Sequence, residues 1–166
     1  IYSPAMNENQ INISAIALFP KEVDDKIQNL RLEISKLFGV KDALNWPPHT
    51  TIRPGFLVPK TELDTFLKDF KEHTKNVNPF AVNLNGFKFF DNAPLSNTIK
   101  SMYVATIDVE KNKEIISANE ELKKFEPYSL PQAREFSPHV TLAYNDVTQK
   151  QFQEIKEFLK DKIFQE

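Results

Sequence analysis

The chain has 166 residues, of which 40% are hydrophobic and 27% are charged, and its formal net charge is −2. These values are typical of one globular domain with its own core, and the absence of a basic excess argues against long duplex nucleic acid as a partner. The lack of cysteine excludes disulfides and thiolate chemistry. The chain has no apolar run of about 18 residues and no secretory-signal pattern at 1–6, which predicts a soluble intracellular protein without a membrane partner.

The first half of the chain predicts a strand, a helix, a second strand and a second helix. Residues 11–19 are rich in apolar and β-branched residues up to Pro20, which predicts a strand buried on at least one face. A helix is predicted next, because apolar residues recur at helical spacing before Gly39: Val23, Ile27, Leu30, Ile34 and Leu37. A strand at 49–56 follows, and Thr61 with Asp64 is typical of a capping box at the start of the second helix.

The second half repeats this order after a connecting region at 80–100, in which alternating apolar residues predict strands with a bulge at Gly86. A strand at 102–109, a helix from Ile115 to Leu122, a strand that begins at His139 and a helix capped by Thr148 are predicted in turn. The two halves indicate an internal duplication, with lobes at 11–75 and 100–166 inside a single domain at 1–166.

One pattern occurs once in each half, as Pro48-His49-Thr50-Thr51-Ile52 and as Pro138-His139-Val140-Thr141-Leu142. The chain has only 3 histidines, so two occurrences with the same flanking residues are hard to ascribe to chance. Because side chains alternate along a strand, His49 shares a side with Thr51, and His139 shares a side with Thr141. Each strand therefore presents one imidazole and one hydroxyl together.

If a pseudo-twofold axis relates the two strands, both pairs face one cleft and flank the same small group. Phosphate suits such a site, because hydroxyls donate to its oxygens and two imidazoles that titrate near neutrality can serve as base and acid. One such motif alone would more often be an ordinary core or surface histidine, and the duplication is what favours a phosphate site. Zinc is a rival ligand, but it needs a third protein ligand, and neither motif strand carries a carboxylate beside its histidine.

The paired His-x-Thr motifs resemble those of the two-histidine phosphoesterase superfamily, which includes 2′-5′ RNA ligase-like proteins and cyclic nucleotide phosphodiesterases. The likeness spans nearly the whole chain. It implies an α+β fold that is bilobal and internally duplicated, with two antiparallel sheets around a central cleft and helices on the outside. It also implies acid–base catalysis by His49 and His139, phosphate binding by Thr51 and Thr141, and no metal or other cofactor.

The resemblance further implies that Arg53 and Tyr144 bind substrate. Arg53 follows the strand alternation and shares the side of His49, whereas Tyr144 falls on the side opposite to His139 unless the strand end bulges. Thr50 departs from the family pattern, in which this position is usually apolar. Three aromatic residues near the motifs either stack on a base or pack in the core: Trp46, Tyr128 and Phe136.

We therefore expect a metal-independent phosphoesterase that acts on RNA-derived phosphate esters, by 2′,3′-cyclic phosphate hydrolysis or by reversible 2′-5′ linkage chemistry. The expected partner is a small nucleotide or an RNA end, and the protein is expected to be a cytoplasmic monomer. The main alternative is a non-catalytic module that binds a nucleotide or phosphorylated metabolite in the same cleft, and a metal-dependent hydrolase is a third possibility. The pseudo-symmetry leaves open which histidine is the acid and which is the base.

Overall fold

The computed structural model describes residues 8–93, 95, 99–125, 128–129 and 135–166. The segment at 1–6 and parts of the connecting region at 80–100 lie outside these residues. The described part contains, in chain order, β1 (Gln10–Leu18), α1 (Lys21–Phe38), β2 (His49–Pro59), α2 (Leu63–Thr74), β3 (Leu84–Phe90), β4 (Val104–Val109), α3 (Lys113–Leu122), β5 (His139–Ala143) and α4 (Gln149–Lys160). Two short 3-10 helices lie at Asp42–Asn45 and Lys60–Glu62.

The strands form a five-stranded sheet in the order β1-β2-β5-β4-β3, with antiparallel pairing from β2 through β5 and β4 to β3. The predicted α+β class is therefore confirmed. The predicted second sheet is not found within the described residues, because all five strands, including the motif strands β2 and β5, belong to one sheet. The register of β3 on β4 shifts between Leu84 and Phe87, and Gly86 has a φ of 70°, so the predicted bulge is confirmed.

The described residues divide into two compact units, each of which takes segments from both halves of the sequence. Unit 1 contains the described residues of 1–16, 51–82 and 111–137. Unit 2 contains the described residues of 17–50, 83–110 and 138–166. The predicted lobes at 11–75 and 100–166 describe a repeat of the sequence, and that repeat stays a prediction.

Unit 2 has a core in which α1 contacts both β5 and α4. The α1 helix ends as predicted at Gly39, which adopts a left-handed φ of 77° and donates its N–H to the carbonyl of Ser35. The α4 helix begins with the predicted capping box, in which Thr148 and Gln151 satisfy each other's backbone N–H groups. Fully buried side chains from both helices and from β4 and β5 fill the interior: Ile27, Ile34, Ile107, Val140 and Ile155.

Unit 1 contains a cluster of aromatic rings around Phe66, whose centroid lies 5.4 Å from those of Phe56 and Tyr128. The predicted capping box at α2 is absent, because the 3-10 helix Lys60–Glu62 occupies the predicted start and α2 begins at Leu63 without a side-chain cap. Buried Asn119 of α3 donates its Nδ2 to the carbonyl of Ile52 at 2.6 Å and so ties α3 to β2. Among the helices of the described residues, none is both long and apolar enough to cross a membrane.

Candidate active site

The two motif strands pair with each other in unit 2, with Thr50 of β2 opposite Val140 of β5. One step along this antiparallel register, His49 lies opposite Thr141, and opposed residues point to the same side of a sheet at about 5 Å between Cβ atoms. His139 is then the diagonal neighbour of His49 on the paired strand, and residues in this relation are typically about 7–8 Å apart. The structure therefore brings His49, His139 and Thr141 to one side of unit 2.

The ring of His49 is held by the backbone just before it. Its Nδ1 lies 2.7 Å from the carbonyl oxygen of Pro47, and His49 is half-buried. A carbonyl oxygen only accepts hydrogen bonds, so Nδ1 is the donor in this contact and carries a hydrogen. In the neutral ring, Nε2 is then the nitrogen with the free lone pair.

His139 has different neighbours, which come from the opposite side of β5. Its register partner on β4 is Asp108, and its ring centroid lies 5.3 Å from that of Phe90 on β3. The Nζ atom of Lys88 lies 3.6 Å from Oδ1 of Asp108 and 5.7 Å from the Phe90 ring centroid. One histidine is thus bonded to a backbone carbonyl, whereas the other is paired in register with a carboxylate.

Thr141 has two buried neighbours, Thr106 and the cationic Arg31. Its register partner on β4 is fully buried Thr106, whose Oγ1 donates to the carbonyl of Lys88 at 2.8 Å. Its own carbonyl accepts from Nε of Arg31 at 2.8 Å, and Nη1 of Arg31 also donates to the carbonyl of Trp46 at 2.9 Å. A single guanidinium therefore fixes the second motif strand and the segment that leads to His49.

Arg31 is only 2% exposed, and burial lowers the pKa of its guanidinium to about 10. The nearby charge of Asp24 opposes this shift only in part. Sequence reasoning missed Arg31, although a signal was present: it occupies the apolar stripe of α1, four residues after Ile27 and three before Ile34.

Tyr144 is the first residue after β5, and β5 contains a bulge shortly before its end. Ala105 of β4 pairs with Ala143, but Thr106 pairs with Thr141, so β5 has one extra residue at Leu142. Such a bulge reverses the alternation after it. It supplies the condition under which the sequence prediction places Tyr144 on the side of Thr141.

Thr51 and Arg53 continue β2 and belong to unit 1. Thr51 is half-buried, and Arg53 is 3% exposed. The Nε and Nη2 atoms of Arg53 donate to the hydroxyl of Ser129 at 3.1 and 2.9 Å. Burial lowers the pKa of Arg53, and the charge of Glu120 opposes that shift. Ser129 is a further contact that the motif did not reveal.

The aromatic candidates for base stacking have different surroundings. Trp46 is 59% exposed, and its backbone is held by Arg31. Tyr128 packs on Phe66 and donates its hydroxyl to Glu62 at 2.5 Å, which places it in the aromatic cluster of unit 1. Phe136 is half-buried in the segment before His139. Of the three residues, Trp46 is the most exposed to solvent.

A zinc site would need at least a third protein ligand beside the two motif histidines. The described residues contain no group of three or more histidine, cysteine, aspartate or glutamate side chains that could hold a metal ion. The third histidine, His73, lies in the last turn of α2, where it is exposed and its ring contacts Phe125 edge-on at 5.1 Å.

Thr50, which departs from the family pattern, is 1% exposed, and its Oγ1 has no hydrogen-bond partner within the part of the chain that is described. An unpaired buried hydroxyl costs about 1–3 kcal/mol, and valine has nearly the same shape without it. We expect Thr50→Val to raise the free energy of unfolding in urea by about 1 kcal/mol. Thr106→Val is the matched control and should lose stability, because the hydroxyl of Thr106 is bonded. A loss of stability in Thr50→Val would contradict the assignment.

Comparison with known proteins places the chain in a family. Residues 19–165 match the family model described as the 2'-5' RNA ligase superfamily. A Bacillus cytotoxicus protein named "Putative phosphoesterase" is 31% identical over 131 residues, which are 77% of this chain and 67% of that protein. A Bacillus licheniformis protein with the same description is 28% identical over 128 residues, which are 77% and 68% of the two chains. The chain therefore belongs to the 2′-5′ RNA ligase superfamily, and the resemblance to two-histidine phosphoesterases is confirmed.

Proposed function

We propose that this protein is a metal-independent phosphoesterase that acts on small RNA-derived phosphate esters. Its reaction is the hydrolysis of a 2′,3′-cyclic phosphate or the reversible chemistry of a 2′-5′ linkage. The observation that carries the proposal is the pairing of Thr50 with Val140, which makes His49 and His139 diagonal neighbours on one side of unit 2. Diagonal neighbours on paired strands are about 7–8 Å apart, which leaves room for one phosphoryl group that hydrogen-bonds to both rings.

In the hydrolytic direction, one imidazole takes a proton from the water that attacks phosphorus, and the other gives a proton to the departing ribose oxygen. Negative charge builds on the phosphoryl oxygens as the new bond forms. The hydroxyls of Thr51 and Thr141 donate to these oxygens, and Arg53 and Tyr144 supply further contacts, as the family pattern implies. Formation of a 2′-5′ linkage runs through the same groups in reverse.

The test is incubation with 2′,3′-cyclic nucleotides, followed by chromatography of the products. We expect a nucleoside monophosphate, formed at the same rate with and without EDTA, because imidazoles carry out both proton transfers. Thermal stabilisation by the nucleotide without any product would favour the binding module instead. Loss of turnover on chelation, restored by a divalent ion, would contradict the metal-free mechanism.

We also propose that the two halves of the chain arose by duplication into a bilobal protein that acts as a monomer. The same order of strand, helix, motif strand and helix in each half supports the duplication. The direct pairing of β2 with β5 at equivalent motif positions also supports it. Sedimentation of the purified protein tests the oligomeric state.

A further inference from the structure

The two histidines of the proposed site are equivalent in sequence but not in their surroundings. Nδ1 of His49 donates to the carbonyl oxygen of Pro47, which is a neutral acceptor. This contact fixes the ring as the tautomer in which Nε2 has a lone pair. His49 is therefore arranged to receive a proton at Nε2.

His139 has a carboxylate as its partner in register, because Asp108 lies directly opposite it on β4. The Cβ atoms of such a pair are about 5 Å apart. A negative charge at this range favours the protonated form of an imidazole. The face of an aromatic ring also attracts a cation, and Phe90 lies beside the His139 ring at 5.3 Å between centroids.

The other charges around His139 do not reverse this asymmetry. Nζ of Lys88 on β3 lies 3.6 Å from Oδ1 of Asp108, and the two side chains are 39% and 44% exposed. Because water screens this ion pair, Lys88 cancels only part of the effect of the carboxylate on His139. Arg31 donates to the carbonyl of Thr141, two residues after His139, and to the carbonyl of Trp46, three residues before His49. Glu110, the acidic residue just beyond the end of β4, accepts from Nδ2 of Asn83 at 2.7 Å.

We propose that Asp108 is a positioning residue that keeps His139 protonated, so that His139 is the general acid and His49 the general base in hydrolysis. This assignment rests on the proposed function. A water O–H proton moves to Nε2 of His49 while the water oxygen forms a bond to phosphorus. The bond from phosphorus to the ribose oxygen breaks, and that oxygen takes the proton of His139. His49 ends protonated and His139 neutral, and exchange with solvent restores the starting state.

The test is an NMR titration of the three histidine rings in the intact protein, with Asp108→Asn as the variant. Removal of the carboxylate is expected to move the titration midpoint of His139 to lower pH by about one unit, a tenfold loss of proton affinity. Glu110→Gln removes an equal charge two residues farther along the chain, just beyond the end of β4, and should leave the midpoint nearly unchanged. Lys88→Met removes the opposing cation and should move it to higher pH. His73 is the internal reference.

The proposal is overturned if Asp108→Asn leaves the His139 midpoint in place, or if Glu110→Gln moves it as far. A turnover assay adds a second readout: Asp108→Asn should move the alkaline limb of the kcat/KM profile to lower pH, and Asp108→Glu should restore it. If the wild-type protein turns over no cyclic nucleotide, the proposed function fails. The NMR titration still decides whether Asp108 holds the proton on His139.

Discussion

Alanine at either His49 or His139 is expected to lower turnover of a 2′,3′-cyclic nucleotide by about two orders of magnitude or more, which is the usual contribution of acid–base catalysis. The two losses should not add in the double variant, because either proton transfer alone leaves the reaction incomplete. Both rings are half-buried on the same side of unit 2, so truncation should change the unfolding temperature little. The measurement is initial rate against substrate concentration for each variant.

His73→Ala is the matched control for these substitutions, because it removes an exposed imidazole from α2. Its rate should equal that of the wild-type protein. A wild-type rate in either His49→Ala or His139→Ala would remove that residue from the mechanism. Equal tenfold losses in all three variants would indicate a general effect of the substitution on the fold.

Arg31→Met is expected to lower the free energy of unfolding by about 2 kcal/mol and to reduce turnover at temperatures where the variant is still folded. The substitution leaves the carbonyls of Thr141 and Trp46 without their donor. Part of that cost is offset because methionine does not bring a charge into the interior, and the lowered pKa of Arg31 shows that this burial is unfavourable. Urea denaturation measures the stability, and kcat measures the effect on the motif strands.

Arg31→Lys separates charge from geometry. A lysine keeps the positive charge, but its single nitrogen does not reproduce the two separate donors that bond Thr141 and Trp46. We expect its turnover to lie between those of the wild-type protein and Arg31→Met. If Arg31→Met were as stable and as active as the wild-type protein, the two backbone contacts would have no role in holding the motifs.

The elements that depend on local signals were predictable from the sequence. Gly39 ends α1 and Thr148 caps α4 as expected, because a left-handed C-cap and a capping box are encoded within a few residues. The predicted N-cap of α2, Thr61, was one residue too early, because Thr61 lies inside the 3-10 helix Lys60–Glu62 and the N-cap is Glu62. The single order of five strands was not predictable, since it depends on pairing between residues as distant as Thr50 and Val140.

The same division applies to the candidate site. The motif identified His49, His139, Thr51 and Thr141, and a bulge at Leu142 supplies the condition under which Tyr144 joins their side. Asp108 could not be found in this way, because nothing near it in sequence says which strand it will face. Its role depends on a register between β4 and β5. A motif thus identifies site residues from a few neighbouring positions, whereas the partners of those residues on other strands depend on how distant segments pair.

Of the five strands in the described residues, β5 comes last in the sequence, yet it occupies the middle of the sheet. While the protein is being synthesised, β2 and β4 therefore both expose unpaired backbone edges until residues 139–143 have left the ribosome. Such edges are prone to association with other chains, and the long wait favours chaperone binding. The second motif histidine, His139, is made only with this strand, so the two motif histidines come together only when β5 inserts between β2 and β4.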